Sequence, residues 1–567
     1  MLLIALSWLY ILFTTINLGL ATNKLLALRN TDFVVTAILG LFTTTLLASC
    51  WAIFGRIHLE FHLFLLLINS LIAIKSKAAV VQEYTHFINQ IKSWSLGFKI
   101  FSVSSTFLIL AQCASVPYVI DNESYYIQTI KWLNEYGFVK GLVNLHFFLG
   151  QVSGWHLTQS AFNFSFLYTN FNDLSGFCLL LGNLFALEKL HMYFKNNAKI
   201  FLIVGLLPLA NIFFFQFISA PSPDIPVYVF TFVLLFYFFE NFKNCTIEGF
   251  NLILLLVLFL LYIKNTSLAL IVIPLVLFVL HFKLLSKNIF HPFLLSLLVL
   301  SLFITKNMIV CGSPVFPSRL WDFTTLDYAI PKQMERFYYN ELKLYGYFVT
   351  SEQYKSMSAW QLFKQWLSLP KLNGLFNKVS IALLLVCPFF IYKFYNKKVL
   401  WTLYSIMVIQ LIILFATSPQ YRFFMNFILF FSLFCLSCIV FRKSIIAFLL
   451  YLSLIPTVII LFVPIDLNRF SNYKFMLQIS NFSIENSIYP HKNTKYNTNF
   501  EKITNGNLIY TSPIDNAFFW GSGDGDLPCV NKVQLAYFET YFFIKPQLRT
   551  GQLKDGFYAK KVTPNER

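Results

Sequence analysis

Long apolar runs separated by short polar turns make up most of the chain. The runs 250–263 and 268–280 carry no charged residue, so neither suits a surface exposed to water. Because a helix needs about 20 apolar residues to cross a bilayer, such runs predict about fourteen transmembrane helices. These lie at 2–20, 33–52, 59–75, 98–118, 172–192, 199–219, 225–241, 249–263, 266–283, 289–305, 377–394, 399–416, 424–440 and 444–464. The predicted fold is an all-α polytopic membrane protein.

The composition agrees with this prediction and changes how the net charge is interpreted. Of the 567 residues, 57% are hydrophobic and only 12% are charged, which is about half the charged share of a soluble domain. A net charge of +18 would suggest nucleic acid as a partner of a soluble protein, but here Lys and Arg lie mainly in short loops between spans. The first segment lacks a basic n-region and a clear cleavage site, which favours a true span over a signal peptide.

The loop charges predict an orientation. If the N-terminus is outside, the inside connections carry most of the basic residues, among them Lys24, Lys75, Lys92, Lys195, Lys243, Lys283, Lys397 and Arg442. The short outside connections carry only Arg56, Lys264 and Arg422. This distribution follows the positive-inside rule along the whole chain.

Three larger segments then fall outside, at 117–172, 306–377 and 466–567. They divide the chain into N-terminal transmembrane helices at 1–97, a transmembrane core at 98–465 that includes the first two segments, and a C-terminal domain at 466–567. An amphipathic pattern predicts an interfacial helix at 125–136, with Tyr and Trp side chains in the lipid headgroup zone. The short apolar stretch 155–168 predicts a second interfacial or a re-entrant helix, and the amphipathic stretch 357–367 predicts a further helix. In the tail, polar turn clusters between short Tyr, Ile and Phe runs predict a small α+β or mainly β domain.

No cofactor or metal site is predicted. The 9 cysteines lie mostly inside spans, and the chain has no Walker loop, GxGxxG, HExxH or doubled CxxC motif. The acidic run at 521–526 lacks the closing Glu of a calcium loop. Cys311 and Cys529 both fall in segments predicted to be outside, so a disulfide between them stays open.

Two aspartates at predicted span boundaries are candidates for catalysis. Asp121 directly follows the span 98–118, and Asp224 lies in a Ser-Pro-Asp-Ile-Pro turn before the span 225–241. Charged groups at the edge of a bilayer are costly to keep, and a poorly hydrated carboxylate can act as a general base. The alternative for each aspartate is a helix N-cap. Two of them on one predicted face favour the functional interpretation.

Three basic residues near the same predicted face are candidates for anion binding. Lys264 interrupts a long apolar stretch, Lys306 follows the span 289–305, and Arg422 stands in a Ser-Pro-Gln-Tyr-Arg-Phe turn. A guanidinium can bind a phosphate through two parallel hydrogen bonds. The alternatives are a snorkelling side chain for Lys264 and an interfacial anchor for Arg422. We expect these residues to gather with the aspartates in one pocket built from segments far apart in sequence.

Taken in order, these motifs resemble those of the GT-C superfamily of integral-membrane glycosyltransferases, in the branch related to dolichyl-phosphate-mannose–protein mannosyltransferases and their bacterial relatives. Asp121 matches the acidic residue that opens the first extracytoplasmic loop of that fold. The other matching motifs are Ser222-Pro-Asp224-Ile-Pro226, Lys306-Asn307 followed by Gly312-Ser-Pro314-Val-Phe-Pro317, and Pro419-Gln-Tyr-Arg422-Phe423. The tail pattern Trp520 followed by Leu527-Pro528-Cys529 is similar to that of a poorly characterised group of large bacterial membrane proteins.

The resemblance implies an inverting transferase that moves a sugar from a polyprenyl phosphate to an extracytoplasmic glycan, lipid or protein. It implies a bacterial inner membrane, no metal and no nucleic acid. Asp121 and Asp224 become the catalytic candidates, and the three cations become phosphate contacts. The chain departs from the family in three ways: extra spans precede the catalytic loop, Lys306 stands where Arg is usual, and Asp121-Asn122-Glu123 replaces an Asp-Glu pair. Glu123 is therefore a further catalytic candidate.

Other functions stay open at this point. A flippase or other transporter of lipid-linked oligosaccharides would need polar groups inside several spans, whereas the sequence concentrates them at one face. A membrane-embedded polysaccharide polymerase shares the substrate and topology of a single-sugar transferase, so the sequence does not separate the two. An inactive GT-C scaffold would keep the fold without the activity.

Overall fold

A computed structural model describes residues 1–28, 32–168, 171–318, 326–395, 397–465, 469–470, 482–495, 499–514 and 518–562. The boundary predicted at Asp466 for the C-terminal domain lies outside these described residues. One hydrophobic core runs through the described chain, from Ile4 in the first helix to Phe557 in the last strand. The predicted N-terminal, central and C-terminal segments therefore pack against one another.

The α-helices in chain order are α1 (Leu2–Leu25), α2 (Phe33–Phe54), α3 (Leu59–Lys75), α4 (Lys77–Ser93), α5 (Leu96–Ala114), α6 (Ile127–Glu135), α7 (Gly154–Ala161), α8 (Leu174–Asn196), α9 (Lys199–Gly205), α10 (Asn211–Ile218), α11 (Asp224–Asn241), α12 (Ile247–Ile263), α13 (Val272–Leu280), α14 (Phe282–Leu285), α15 (Phe290–Cys311), α16 (Lys332–Tyr347), α17 (Ser351–Ser356), α18 (Ala359–Leu367), α19 (Lys371–Phe390), α20 (Lys398–Ala416), α21 (Met425–Ile439), α22 (Lys443–Phe462) and α23 (Lys532–Phe542). Short π-helical turns lie at Asn122–Tyr126 and Ile391–Tyr395.

Among the described residues, 10 helices are long and apolar enough to cross a bilayer. They are α1, α2, α5, α8, α9 continued by α10, α11, α15, α19 with its π-helical turn, α20 and α22. Two further pairs, α3 with α4 and the stretch 265–280 with 282–288, are bent by 88° and 90°, which gives up to 12 spans if each pair is one span. The shorter apolar helices α12 and α21 complete the set of predicted segments. The fold is that of a helical integral membrane protein, and the count of fourteen spans stays a prediction.

Helix α11 lies at the centre of the bundle. In the most apolar 18-residue stretch of α11, 83% is buried inside the protein, whereas the corresponding shares for α15 and α22 are 28% and 22%. A helix that is apolar on all sides suits a fully packed position, and the exposed apolar sides of α15 and α22 suit contact with lipid. Since Asp224 is the first residue of α11, the tightly packed core fixes the position of its carboxylate.

The segments predicted to be outside lie together on one side of the bundle. In segment 117–172, Phe138 N donates to Ala52 O at the end of α2 across 2.8 Å. From the tail, Phe557 N donates to Lys140 O in the same segment across 2.9 Å. The first segment is therefore held between the helix ends and the C-terminal region.

Segment 117–172 forms helices at the predicted places, but they lie inside the protein. Tyr126 and Trp132 are each 1% exposed, so the prediction that they lie in the headgroup zone is wrong. Helix α7 takes the place of the interfacial or re-entrant helix predicted at 155–168, and all of its residues are buried. The physical reason is the N-terminal helices, because α2 packs along α7 and Thr45 bonds to Thr158 across 2.6 Å.

Segment 326–369 forms α16, α17 and α18, and α18 confirms the amphipathic helix predicted at 357–367. Trp366 is 2% exposed and donates its Nε1 to Pro419 O across 2.6 Å. Gly346, at the end of α16, comes so close to Pro419 that a Cβ there would stand 2.5 Å from its Cδ. These contacts seat α16 and α18 directly on the turn that carries Arg422.

The described residues of the tail form two small antiparallel sheets and α23. Strand β1 (Phe500–Asn505) pairs with β2 (Leu508–Pro513), and β3 (Ile544–Leu548) pairs with β4 (Phe557–Lys561). This confirms a small α+β region.

The disulfide that the sequence left open is not formed. Cys311 and Cys529 are both free and buried. Their thiols donate to different carbonyls, Cys311 to Gly150 O and Cys529 to Ser522 O. The Cys529 contact is local, whereas the Cys311 contact joins the end of α15 to segment 117–172.

Candidate functional site

Asp121 stands at the start of the π-helical turn Asn122–Tyr126 but does not cap it. Its Oδ2 instead accepts a hydrogen bond from Arg422 Nη1 across 2.5 Å. The two side chains are 17% and 22% exposed, so the ion pair is shielded from water yet accessible. The N-cap interpretation of Asp121 is therefore wrong, and the predicted proximity of Asp121 to Arg422 is confirmed.

The turn at 418–423 fixes the guanidinium of Arg422. The backbone is held by Tyr228 on α11, whose hydroxyl donates to Arg422 O across 2.8 Å. In the side chain, Nε donates to Gln420 Oε1 across 3.0 Å while Nη1 donates to Asp121. Within the described chain, Nη2 donates to no group. The guanidinium thus keeps donors that an anion can use.

Asp224 and Lys264 form a second ion pair. Asp224 begins α11, where the helix dipole favours a carboxylate, and its Oδ1 accepts a hydrogen bond from Lys264 Nζ. Lys264 ends α12 as its C-cap residue. The side chains of Asp224 and Lys264 are 2% and 17% exposed. Because the ammonium is turned to a buried carboxylate, the snorkelling interpretation of Lys264 does not apply.

The two ion pairs form one group, which we call the ion-pair cluster: Asp121, Arg422, Asp224 and Lys264. The ring of Phe423 lies between the cations, 4.4 Å from Lys264 Nζ and 5.0 Å from Arg422 Cζ. Although burial opposes it, the attraction of Asp121 and Asp224 raises the pKa of Arg422 well above its usual range. Both carboxylates therefore act on one guanidinium.

The Asp121–Arg422 pair of the cluster opens into a cleft of about 600 Å³, a volume that includes its open mouth. The cleft lies between the start of segment 117–172, the end of α10, the end of α16, the start of α19 and the turn at 418–423. Asp121 and Arg422 line it, together with the amide side chains of Gln216, Asn373 and Asn377. Sequence analysis missed these amides because single Asn and Gln residues in apolar helices carry no recognisable motif.

Lys306 lies apart from the cleft, deeper in the protein. It is 3% exposed, and its Nζ donates to Val152 O across 2.5 Å. The described residues offer it no carboxylate partner. Burial first, and then the charges of Lys306 and Lys264, lower the pKa of the His156 imidazole to about 3. The imidazole of His156 is therefore expected to be neutral.

Glu123 is turned away from the ion-pair cluster and toward the C-terminal region. Its carboxylate accepts hydrogen bonds from Lys495 N across 2.6 Å and from Thr494 Oγ1 across 3.0 Å. Its carbonyl oxygen accepts from Ser522 N and Gly523 N across 3.0 and 2.8 Å. Glu123 therefore contacts the C-terminal region and helps to hold it against segment 117–172. Its position does not support the predicted catalytic role.

Docking of the C-terminal region at Glu123 is expected to depend on pH. Burial raises the pKa of Glu123 to about 7, above its value in an unfolded chain. Because the docked carboxyl holds its proton to a higher pH than the undocked one, docking is more stable at low pH. This extra stability is lost as the pH rises from about 4.5 to 7. Lys495, whose pKa burial lowers to about 8, titrates above this range. We therefore expect hydrogen exchange at the amides of residues 494–495 and 522–523 to be slower at pH 5 than at pH 7.5, after correction for intrinsic rates.

The control for this prediction is Glu123→Gln, which keeps the size of the side chain and removes its titration. In this variant, protection of the same amides should be equal at the two pH values. A pH dependence that persists in Glu123→Gln would assign it to another group.

A second buried ionic cluster, which sequence analysis missed, lies at the other end of α2. Lys189 donates to Asp32 across 2.9 Å and to Glu188 across 3.0 Å, and Thr36 Oγ1 donates to Glu83 across 3.0 Å. A helix the length of α2 separates this cluster from the cleft side by roughly 30 Å. Polar groups are thus not confined to one face, which corrects the expectation from sequence.

Comparison with known proteins identifies a family model. The model described as Domain of unknown function (DUF8201) matches residues 1–429, which include the whole ion-pair cluster. No curated protein and no solved structure matches the chain.

Proposed function

We propose an activity for this chain, which belongs to the family described as Domain of unknown function (DUF8201). The proposed activity is that of a membrane glycosyltransferase, which moves a sugar from a polyprenyl phosphate to an acceptor. The observation that carries the proposal is the Asp121–Arg422 pair, in which a carboxylate and a guanidinium with unused donors share one cleft beside apolar helices. The resemblance of the surrounding motifs to the GT-C superfamily supports the same conclusion.

The cations of the cluster suit a lipid phosphate. Arg422 keeps Nη2 for a phosphate oxygen, and Lys264, beyond the ring of Phe423, adds a second positive charge. Asp121 and Asp224 balance these charges while no ligand is bound, which lowers the cost of holding cations beside an apolar bundle. Lys306 strengthens the positive potential from inside the protein.

The transfer would be a single displacement. The acceptor hydroxyl gives its proton to the Asp121 carboxylate while the hydroxyl oxygen forms a bond to the anomeric carbon. The bond between that carbon and the phosphate oxygen breaks, and the polyprenyl phosphate leaves with the electron pair. Attack from the side opposite the phosphate inverts the anomeric centre. Arg422 and Lys264 stabilise the charge that develops on the leaving phosphate, which is the kind of interaction that supplies much of a catalyst's effect.

The cleft would face the extracytoplasmic side of a bacterial inner membrane. The positive-inside distribution of the loops supports this placement, since the ends that carry Arg56, Lys264 and Arg422 are poor in basic residues. The end of α16 and the start of α19 line the cleft, and the acceptor would be a glycan, a lipid or a protein.

The experiment that tests the proposal follows the sugar. Purified protein in nanodiscs is supplied with undecaprenyl phosphate carrying a labelled hexose or pentose, together with an envelope fraction as acceptor. We expect the label to move to the acceptor while undecaprenyl phosphate accumulates. Arg422→Gln should show neither product. Asn426→Ala changes a buried asparagine on α21 that does not line the cleft, and it should show both. In sealed vesicles, label that changes leaflet without leaving its lipid would instead identify a flippase.

A further inference from the structure

One wall of the cleft carries a pair of amides that the ion-pair cluster does not use. Asn373 and Asn377 both line the cleft at the start of α19. Residues at positions i and i+4 lie on the same face of a helix, so the two amides stand one above the other. They are 9% and 1% exposed. Amides buried at the head of a membrane helix are costly unless they form hydrogen bonds.

The orientation of Asn377 is set by Trp366. The Asn377 Nδ2 donates to Trp366 O across 2.7 Å. Because a backbone carbonyl only accepts hydrogen bonds, the nitrogen must be on that side and Oδ1 must point away from it. Oδ1 is buried and has no donor among the described residues. The neighbouring Asn373 side chain also makes no hydrogen bond within the described part of the chain.

An amide oxygen without a donor selects the chemistry of its ligand. An ionised phosphate has only acceptor atoms, so it gains nothing from Oδ1, whereas a hydroxyl group can donate to it. The rings of Phe217 and Tyr421 line the same cleft. A ligand that presents hydroxyl groups at its edge and C–H groups on its face, as a sugar ring does, matches both the amides and the aromatic side chains.

We propose that Asn373 and Asn377 form a hydroxyl-binding subsite for the sugar carried by the polyprenyl phosphate. The inference rests on the proposed function, because the sugar is joined to the phosphate that Arg422 binds in the same cleft. The subsite makes the protein bind the sugar-bearing lipid more tightly than the bare lipid. It also sets which sugar is accepted, through the positions of its hydroxyl groups.

The test measures the affinity of the purified protein in nanodiscs for bare undecaprenyl phosphate and for undecaprenyl phosphate linked to a panel of hexoses and pentoses. We expect the wild type to prefer at least one sugar-bearing lipid by about tenfold, the effect of one or two neutral hydrogen bonds. Asn373→Ala should reduce this preference severalfold and leave the affinity for the bare lipid within about twofold. Asn377→Ala should do the same where the protein still folds without its bond to Trp366.

Asn426→Ala is the matched control. Asn426 is 3% exposed and its Oδ1 also has no described partner, but it lies outside the cleft lining. It should keep the full preference. The subsite would be overturned if the wild type bound sugar-bearing and bare lipid equally, or if Asn373→Ala kept the full preference for sugar-bearing lipid. In either case, binding of the bare lipid would leave the proposed function standing. Failure of the wild type to bind any of these lipids would overturn the proposed function and the subsite with it.

Discussion

Asp121→Asn is expected to lower the rate of sugar transfer by about 10²- to 10⁴-fold, the usual contribution of a general base. The amide has the size of the carboxylate, and its oxygen can still accept the hydrogen bond from Arg422 Nη1. It cannot take up the proton of the acceptor hydroxyl. The rate of release of undecaprenyl phosphate from the labelled glycolipid measures the effect, and binding of the bare lipid shows whether the cleft is intact.

Glu123→Gln is the matched control for Asp121→Asn. It changes a second carboxylate of the same loop, one that contacts the C-terminal region at Thr494 and Lys495. Transfer by Glu123→Gln should stay within about tenfold of the wild type, since any loss would come from looser docking. If Glu123→Gln abolishes transfer while Asp121→Asn keeps it, the base has been assigned to the wrong carboxylate.

Lys264→Met is expected to reduce the free energy of unfolding by about 3–5 kcal/mol, because it leaves Asp224 buried without its partner. Asp224 is only 2% exposed, so water cannot replace the lost ammonium. Adding Asp224→Asn should recover most of the loss, because the double variant buries no unpaired charge. Unfolding of the single and double variants in mixed detergent micelles gives the coupling energy between the two residues.

Arg56 and Glu60 provide the comparison pair. They are separated by 2.7 Å like a strong ion pair, but their side chains are 45% and 51% exposed. Arg56→Met should therefore cost less than about 1 kcal/mol. Equal costs for Lys264→Met and Arg56→Met would contradict the buried character of the ion-pair cluster.

The helices and the main residues of the site were accessible from sequence for a simple physical reason. A membrane helix needs a long apolar run, so the runs themselves mark the helices, and a charge kept at the end of such a run is conspicuous. Asp121 and Arg422 were found in this way, although 301 positions separate them in the chain. Asp224 was found the same way, and its partner Lys264 stood out as a charge within an apolar stretch.

The rest of the site depends on packing that no local pattern records. Asn373 and Asn377 became visible only when the turn at 418–423 was placed against α19. The burial of Tyr126 and Trp132 follows from the N-terminal helices, which cover a loop that would otherwise meet lipid headgroups. Lys189 was overlooked for a similar reason, since its partner Asp32 caps the start of α2, far from α8 in the sequence.

A structure of the protein in a nanodisc with undecaprenyl phosphate would show whether the cleft at Asp121 and Arg422 holds a lipid phosphate. We expect phosphate density within about 4 Å of the Arg422 guanidinium, as in a direct charge-assisted hydrogen bond, with the lipid chain running along the apolar helices. Phosphate density at the Asp32–Lys189 end of α2, with an empty cleft at Arg422, would contradict this expectation.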